Sequence, residues 1–565
     1  MKNQWVKKPE PEAGIVQILR NEVRLPYPLA VILAQRGVNS FDSAKEFFRP
    51  ELAHLHDPFL MKDMELAVDR VIRAIQNHEK ILVYGDYDVD GTTAVAMMYD
   101  FLLSVYPNVH YYVPHRYSEG YGISFTGIDY AEENGYSLII ALDCGIKAVD
   151  KIDYANQKKI DFIICDHHLP GEVLPAAVAV LDPKRSDCSY PFKGLSGCGV
   201  GFKLIQALGT KLNVNKEKIY SYLDLLVVSI AADIVPITGE NRILAYYGLM
   251  ELQKNPSPGL KGLMGEEIAH AGISEIVFNL APKINATGRL EHASQSVEIL
   301  ISKDEVEIVK IAAQIKTLNI QRKETDGNVT EEAIELIKKN NEEENYSTVV
   351  YSEDWHKGVL GIVASRLTET YYRPTLVLTE GSDGEITGSA RSVKDFDIYE
   401  IIDNCSDLLS RYGGHRFAAG LTMPKENLQE FKEKFESLVK EKIRQTQRIP
   451  SIDIDTEIDF SEITPSFLRI LKQMRPFGPE NMTPVFLTKS LIAGNLKKIG
   501  KNGDHLRLTL QDQNRKMFEA VAFGMGDLYR DFQYGKFDVV YSIEENIWKD
   551  KVYLQFNIKD VRFAE

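Results

Sequence analysis

The chain divides by the period of its apolar residues. Between about residues 78 and 300, short apolar runs at 81–84, 109–113, 138–142, 162–165 and 178–181 alternate with stretches of helical period. Such alternation predicts βαβ units around a parallel sheet, whose functional edge lies at the carboxyl ends of its strands. Residues 301–346 contain no Pro and only Gly327, and they are dense in Lys, Glu, Ile and Leu. That composition predicts long helices bridging two lobes. A second α/β stretch covers 347–422, and a charged amphipathic helix follows over 426–445. From about 452 the segments "LRLTLQD", "FEAVAFG", "FDVVYSI" and "VYLQFNIKD" predict short strands of a small antiparallel barrel. Residues 1–75 read as helical, with a break at Arg49-Pro50. The expected class is α/β, in five parts: a helical segment 1–75, an α/β domain 76–300, connecting helices 301–346, a smaller α/β domain 347–447 and a barrel 448–565.

Composition narrows the partners. A length of 565 residues is too great for one core and predicts two to four domains. The net charge of −15 argues against a protein that coats nucleic acid nonspecifically. It leaves open an enzyme whose positive charge is confined to one groove. Cys144, Cys165, Cys188, Cys198 and Cys405 are odd in number and include no C-x-x-C, which excludes a disulfide framework or a zinc knuckle. The opening "MKNQWVKKPEPE" lacks the apolar core of a signal peptide, and no run approaches the roughly 18 apolar residues of a membrane helix. A cytoplasmic protein without membrane association is expected.

The stretch "ILVYGDYDVDGTTAV" crowds Asp86, Asp88 and Asp90 into what reads as the turn between a strand and a helix beginning near Thr92. Carboxylates that close repel, so cations or protons must hold their charge. Other apolar runs, read as strands, end in further candidates: Asp143 in "LIIALDCG", Asp166, His167 and His168 in "FIICDHH", and Asp233 in "VVSIAADIVP". Several Asp and two His, with no thiolate, suit Mn²⁺ or Mg²⁺ better than structural zinc.

The motifs "DYDVDG", "DCG", "DHH" and "AADIVP" resemble, in order and spacing, those of the DHH phosphoesterase superfamily, in particular of its single-stranded-DNA exonucleases. "PKINATGRL" is similar to the segment that ends their first domain. "WHKGVLGIVASRL", "GSARS" and "GGHRFAAG" resemble the DHHA1 lobe, and "PFGPENMTPVF" resembles the segment leading into an OB barrel. The resemblance implies a DHH domain joined by long helices to DHHA1 and a C-terminal OB-like barrel. It implies two divalent cations, Mn²⁺ or Mg²⁺. Asp88 and a bridging Asp143 would hold one, and Asp90, Asp143, His167 and Asp233 the other. Asp86 and Asp166 would support them, and His168 would face the scissile phosphate. The implied activity is 5′-to-3′ hydrolysis of single-stranded DNA to mononucleotides in recombination and repair, by a monomer that meets a RecQ-like helicase and a single-strand-binding protein. The alternative is a superfamily phosphodiesterase acting on short oligonucleotides or nucleotide second messengers. The region after 450 weighs against that, as the intact acids weigh against a catalytically dead scaffold. One departure stands out: Glu480 occupies a position where the family pattern has glycine, and Met482-Thr483 follow before Pro484.

A single-stranded substrate calls for basic groups at its phosphates and flat partners for its bases. Arg116, Arg289, Arg391 and His415 are the phosphate candidates, with glycines beside Arg289 and Arg391 giving the strand close access. Ser389 and Arg391 are two apart and face one way on an extended segment. Relatives use these positions, with an arginine matching Arg116, as a 5′-end pocket. "KKIGKNGDHLRL" offers Lys497, Lys498, Lys501 and Arg507 on a barrel hairpin. Phe518, Tyr541, Trp548, Val359, Ile362 and Val363 read as core.

Overall fold

The structure, a computed structural model, describes residues 3–381, 384–548 and 551–564. They form two compact units. One holds Met1–His54, Pro236–Thr238 and Ile449–Glu565, and the other Leu55–Val235 with Gly239–Arg448.

In the larger unit all five expected apolar runs are strands. They form a parallel sheet in the order Val109–Tyr112, Lys80–Gly85, Tyr136–Leu142, Asp161–Cys165, Ala179–Leu181. Unbroken apolar runs fit a sheet covered on both faces, and residues 81–84 and 138–142 are buried throughout. Register decides what the edge carries. Gly85 pairs with Leu142, Leu142 with Cys165, and Cys165 with Leu181, so Asp86, Asp143 and Asp166 leave the sheet side by side.

Two local expectations are corrected. The helix after the strand Lys80–Gly85 spans Val89–Val105, beginning before Thr92, because Asp88 caps it by accepting the Gly91 N–H at 3.0 Å. Asp90 therefore sits in its first turn. The run before Asp233 is the helix Leu223–Ala232 and not a strand. It is buried almost all round, and a uniformly apolar helix has no period to distinguish it from a buried strand.

The expected connecting helices are one helix of 35 residues, Glu305–Lys339, capped by Asp304. Beyond it lies a mixed sheet in the order Arg411–His415, Ala418–Met423, Ile386–Arg391, Thr375–Glu380, Thr348–Tyr351. Val359 and Val363 are buried beside it and Ile362 is half-buried.

In the smaller unit the strands Val485–Ile499, His505–Gln511, Met517–Ala522, Lys551–Phe563 and Phe537–Trp548 close into a five-stranded barrel, the last pairing with the first. It is not wholly antiparallel, since Met517–Ala522 and Lys551–Phe563 run parallel. Its core of Phe460, Phe486, Tyr541 and Phe556 is continuous with Leu29 and Ile32 from the N-terminal helices. That N-terminal stretch is not all helix: Gln4–Lys7 is a strand pairing with Ser451–Ile454. Tyr541 is buried and Phe518 packs on the same core; the Trp548 side chain lies outside the described residues. Lys497 and Arg507 face each other on the expected hairpin. Glu480 has φ 60°, a left-handed conformation that accounts for glycine in the family pattern. All five cysteines are buried and free. Among the described residues no helix is long and apolar enough to cross a membrane.

Candidate metal centre and nucleic-acid interface

Three of the predicted carboxylate ligands converge on a nitrogen of a fourth ligand, His167. His167 Nε2 lies 3.3 Å from Asp143 Oδ1, 3.6 Å from Asp233 Oδ2 and 3.9 Å from Asp90 Oδ2. Asp143 also groups with His167 and His168 at ligand spacing. Both ring nitrogens of His167, Asp143 Oδ1, Asp233 Oδ2 and Asp86 Oδ2 are buried without a hydrogen-bond partner. Buried polar atoms are normally satisfied, so this set lacks something that accepts electron pairs. Divalent cations bound by oxygen and imidazole fit it.

The electrostatics agree. Burial, then the neighbouring Asp90, pushes the Asp143 carboxyl well above the ordinary range; burial and Asp88 do the same to Asp86. Asp88 is raised by burial and by Asp90. Burial lowers His167, which keeps its imidazole neutral and free to ligate. Left to itself the cluster takes up protons, and a cation would displace them.

Each ligand is held by a defined neighbour. Asp90 accepts from the Gly197 amide at 2.7 Å, the Cys198 amide at 2.8 Å and the Ser229 hydroxyl at 2.7 Å. Those amides open the helix Gly197–Lys211, which Ser196 caps. A Cβ on Gly197 would stand 2.5 Å from Asp143 Cβ, so glycine is required where Asp143 passes. Asp143 itself has φ 58°, a strained conformation of the kind that collects at functional sites. None of Ser196, Gly197, Cys198 and Ser229 was among the expected site residues. The available signal was "SGCGVG", a capping serine ahead of a glycine-rich helix start.

Asp166 orients the histidines. It accepts the amides of Ile146, His167 and His168 at 2.9, 2.7 and 3.1 Å, and His168 Nδ1 at 2.7 Å. Against the penalty of burial, these bonds and the His168 charge hold its carboxyl down at about 2. His168 Nε2 is thereby left toward the open side, 3.4 Å from the Tyr121 hydroxyl. Asp86 accepts the Gly122 amide at 3.1 Å.

The predicted phosphate-binding arginines gather around Arg289, with Arg116 also bearing on Asp86 and Asp88. Arg289 donates to the Gly358 carbonyl at 2.9 Å, Arg391 to Ser389 Oγ at 3.0 Å and the Ala390 carbonyl at 2.7 Å, and Arg116 lies over the Tyr87 ring at 4.6 Å. Burial and the charges of Arg116, Arg322 and Arg391 bring Arg289 down to about 10, so these guanidiniums crowd one another. Among the described residues none of Arg116, Arg289 and Arg391 has an ion-pair partner. His415 is exposed two strands away, in line with Arg391 through Ala418. The glycines do not serve as expected: a Cβ on Gly288 would meet the Tyr87 carbonyl at 2.9 Å, and one on Gly388 would meet Leu378 at 2.2 Å. Their space is taken by the chain's own packing.

Comparison with known proteins follows the same division of the chain. The DHH family N-terminal domain matches residues 80–230, the DHHA1 domain 344–441 and the RecJ OB domain 454–560. The single-stranded-DNA-specific exonuclease RecJ of Bacillus subtilis is 35% identical over 560 residues, covering 98% of this chain and 70% of that protein. Its Escherichia coli counterpart is 31% identical over 500 residues, 83% of this chain and 86% of that one. The crystal structure of RecJ with Mn²⁺ from Thermus thermophilus matches with a TM-score of 0.85 at 26% identity, covering 100% of this chain and 80% of that one.

Proposed function

We propose, because this chain belongs to the RecJ family of single-stranded-DNA-specific exonucleases, that it is a metal-dependent 5′-to-3′ exonuclease hydrolysing single-stranded DNA to mononucleotides. The observation that carries the proposal is the buried group of Asp90, Asp143 and Asp233 around His167 Nε2, its facing atoms without partners. In this reading Asp88 and Asp143 hold one Mn²⁺ or Mg²⁺, and Asp90, Asp143, His167 and Asp233 hold a second. Such a pair supplies a more acidic water and charge neutralisation at the attacking and leaving oxygens. The protein's part is geometric. The helix start at Gly197–Cys198 and Ser229 fix Asp90, and Asp166 turns His168 Nε2 outward to donate to the scissile phosphate.

Polarity follows from the arginines. Guanidiniums held only by neutral groups suit the dianion of a terminal 5′-phosphate, and Ser389 adds a hydroxyl donor. Arg116, Arg289, Ser389 and Arg391 form that pocket, and His415 lies at its margin. Lys497, Lys498, Lys501 and Arg507 contact the strand's backbone. The same reading extends to recombination and repair in the cytoplasm, to a monomer, and to a RecQ-like helicase and a single-strand-binding protein as partners.

The test is incubation with end-labelled single-stranded and duplex DNA, with and without Mn²⁺. Mononucleotides released from the 5′ end of the single strand, only with metal, are expected. Digestion from the 3′ end, or without metal, overturns the proposal.

A further inference from the structure

The turn that carries Arg116 also holds Glu119, three residues on, and a carboxylate close to a site for a phosphate dianion repels what that site is to bind. Glu119 is half-buried and its oxygens are engaged elsewhere. Oε1 accepts the His115 amide at 2.7 Å, and Oε2 accepts the Tyr112 hydroxyl at 2.9 Å and the Ser124 hydroxyl at 2.6 Å. None of these three donors is charged. Glu119 therefore serves the site through the shape it enforces and not through its charge.

That shape is a closed turn. The Glu119 amide donates back to the His115 carbonyl at 2.9 Å, and His115 Nδ1 accepts the amides of Tyr117 and Ser118 at 3.3 and 3.2 Å. Arg116 and Tyr117 stand at the apex, and contacts fix where the apex lies. Arg116 covers the Tyr87 ring at 4.6 Å. The Tyr117 hydroxyl donates to the carbonyl of Arg289, whose own guanidinium donates to the Gly358 carbonyl at 2.9 Å. A Cβ on Gly358 would stand 2.5 Å from that hydroxyl, so the turn is also packed against the segment Lys357–Val359. The other end of the loop is anchored independently: the Gly122 amide donates to Asp86 Oδ1 at 3.1 Å, and the Gly122 carbonyl accepts the Tyr84 hydroxyl at 2.9 Å.

We propose, resting on the 5′-phosphate pocket read above, that Glu119 is a positioning residue for that pocket: by closing the turn on neutral donors it presents Arg116 to the terminal phosphate. A long side chain whose backbone is fixed before the ligand arrives loses less freedom on binding, so the staple strengthens end recognition without touching the substrate. Its effect falls on substrate binding at the 5′ end and spares the metal ligands, whose side of the loop Gly122 holds.

The experiment compares Glu119→Ala, Glu119→Gln, Tyr112→Phe and the wild type in the full chain. Two quantities are read: kcat/KM on 5′-phosphorylated relative to 5′-hydroxyl single strands, and Mn²⁺ binding without DNA by electron paramagnetic resonance. Glu119→Ala should lower the preference for the phosphorylated strand about tenfold, mainly through KM. Its Mn²⁺ affinity should stay within about twofold of wild type, as for separately held sites. Glu119→Gln keeps an acceptor for the His115 amide and should keep most of the preference. Tyr112→Phe removes one donor and keeps the ring, so it should lower the preference about threefold and decides the matter if Glu119→Ala does not fold. An unchanged preference in Glu119→Ala and Tyr112→Phe, a Glu119→Gln as impaired as Glu119→Ala, or Mn²⁺ binding that weakens in step with the preference overturns the proposal. A wild type that does not distinguish the two strands removes the pocket itself.

Discussion

Gly197→Ala puts the site's geometry to a direct test. The new Cβ would stand 2.5 Å from both Cβ and Oδ1 of Asp143 and 2.7 Å from its Cα, where ordinary contact begins at 3.4 Å. About 1 Å of movement is needed, and neither side has it to give. Asp143 is already at φ 58°, with Oδ1 3.3 Å from His167 Nε2. The helix start cannot retreat without breaking the 2.7 Å bond from the Gly197 amide to Asp90. Either shift moves a ligand carboxylate, and a misplacement of about 1 Å costs about 10²-fold in rate, or about 2.7 kcal/mol on the barrier. An opposing effect gives the test its sign. At an unobstructed helical glycine, alanine stabilises by about 0.4–1 kcal/mol. Gly327, in the helix Glu305–Lys339 with nothing near its missing Cβ, supplies that control. Gly327→Ala should raise Tm slightly and leave kcat/KM alone. Gly197→Ala should lower Tm, weaken Mn²⁺ binding by calorimetry and lower kcat/KM about 10²-fold. Activity within about threefold of wild type, or a Tm gain like the control's, would refute the reasoning.

Three further outcomes are expected. Arg391→Ala should slow digestion of 5′-phosphorylated strands by about 10–10²-fold, the worth of a charge-assisted hydrogen bond, and affect 5′-hydroxyl strands far less; equal slowing of both excludes the pocket. Glu480→Gly should raise the melting temperature modestly, by up to about 1 kcal/mol of stability, because a residue at φ 60° is relieved at the loss of a 3.4 Å bond to Thr238; a fall in Tm would show that Glu480 is held by more than its backbone. Asp86, Asp88 and Asp143 are raised in the fold, so the metal-free native state binds more protons than the unfolded chain. Their contribution to stability is full below the unfolded carboxylate pKa of about 4 and is lost as pH climbs through the raised values. Mn²⁺ replaces those protons, so the Tm gain on adding it should grow from about pH 5 to about pH 8; a flat or shrinking gain contradicts the assignment.

What could be read beforehand was local. The five strands of the first sheet were legible because each is an unbroken apolar run, and the level of their ends follows from pairing such runs in parallel. Asp86, Asp143, Asp166 and the histidines inherit their convergence from that register. Asp233 reached the same place by another route. It caps the buried helix Leu223–Ala232, whose apolar faces give no period, so the expected strand is a helix although Asp233 still meets His167.

The support of the ligands was not legible, because it is assembled across the chain. Ser229 and Asp90 are 139 residues apart, and Gly197 and Asp90 are 107 apart; neither spacing leaves a local pattern. The glycines show the same limit from the other side. A glycine in a sequence marks a place where something comes close, or where the backbone turns left-handed, and does not say which. Gly288 and Gly388, the glycines near Arg289 and Arg391, invite a reading as openings for DNA, and the space at each is filled by the protein itself. Gly197 was not singled out, and Asp143 passes against it. Glu480 keeps the left-handed backbone without the glycine, so the pattern there records a conformation that the surrounding fold imposes on whatever residue it is given. What a glycine is for is therefore a property of its neighbours in space, and at this centre those neighbours include the ligands themselves.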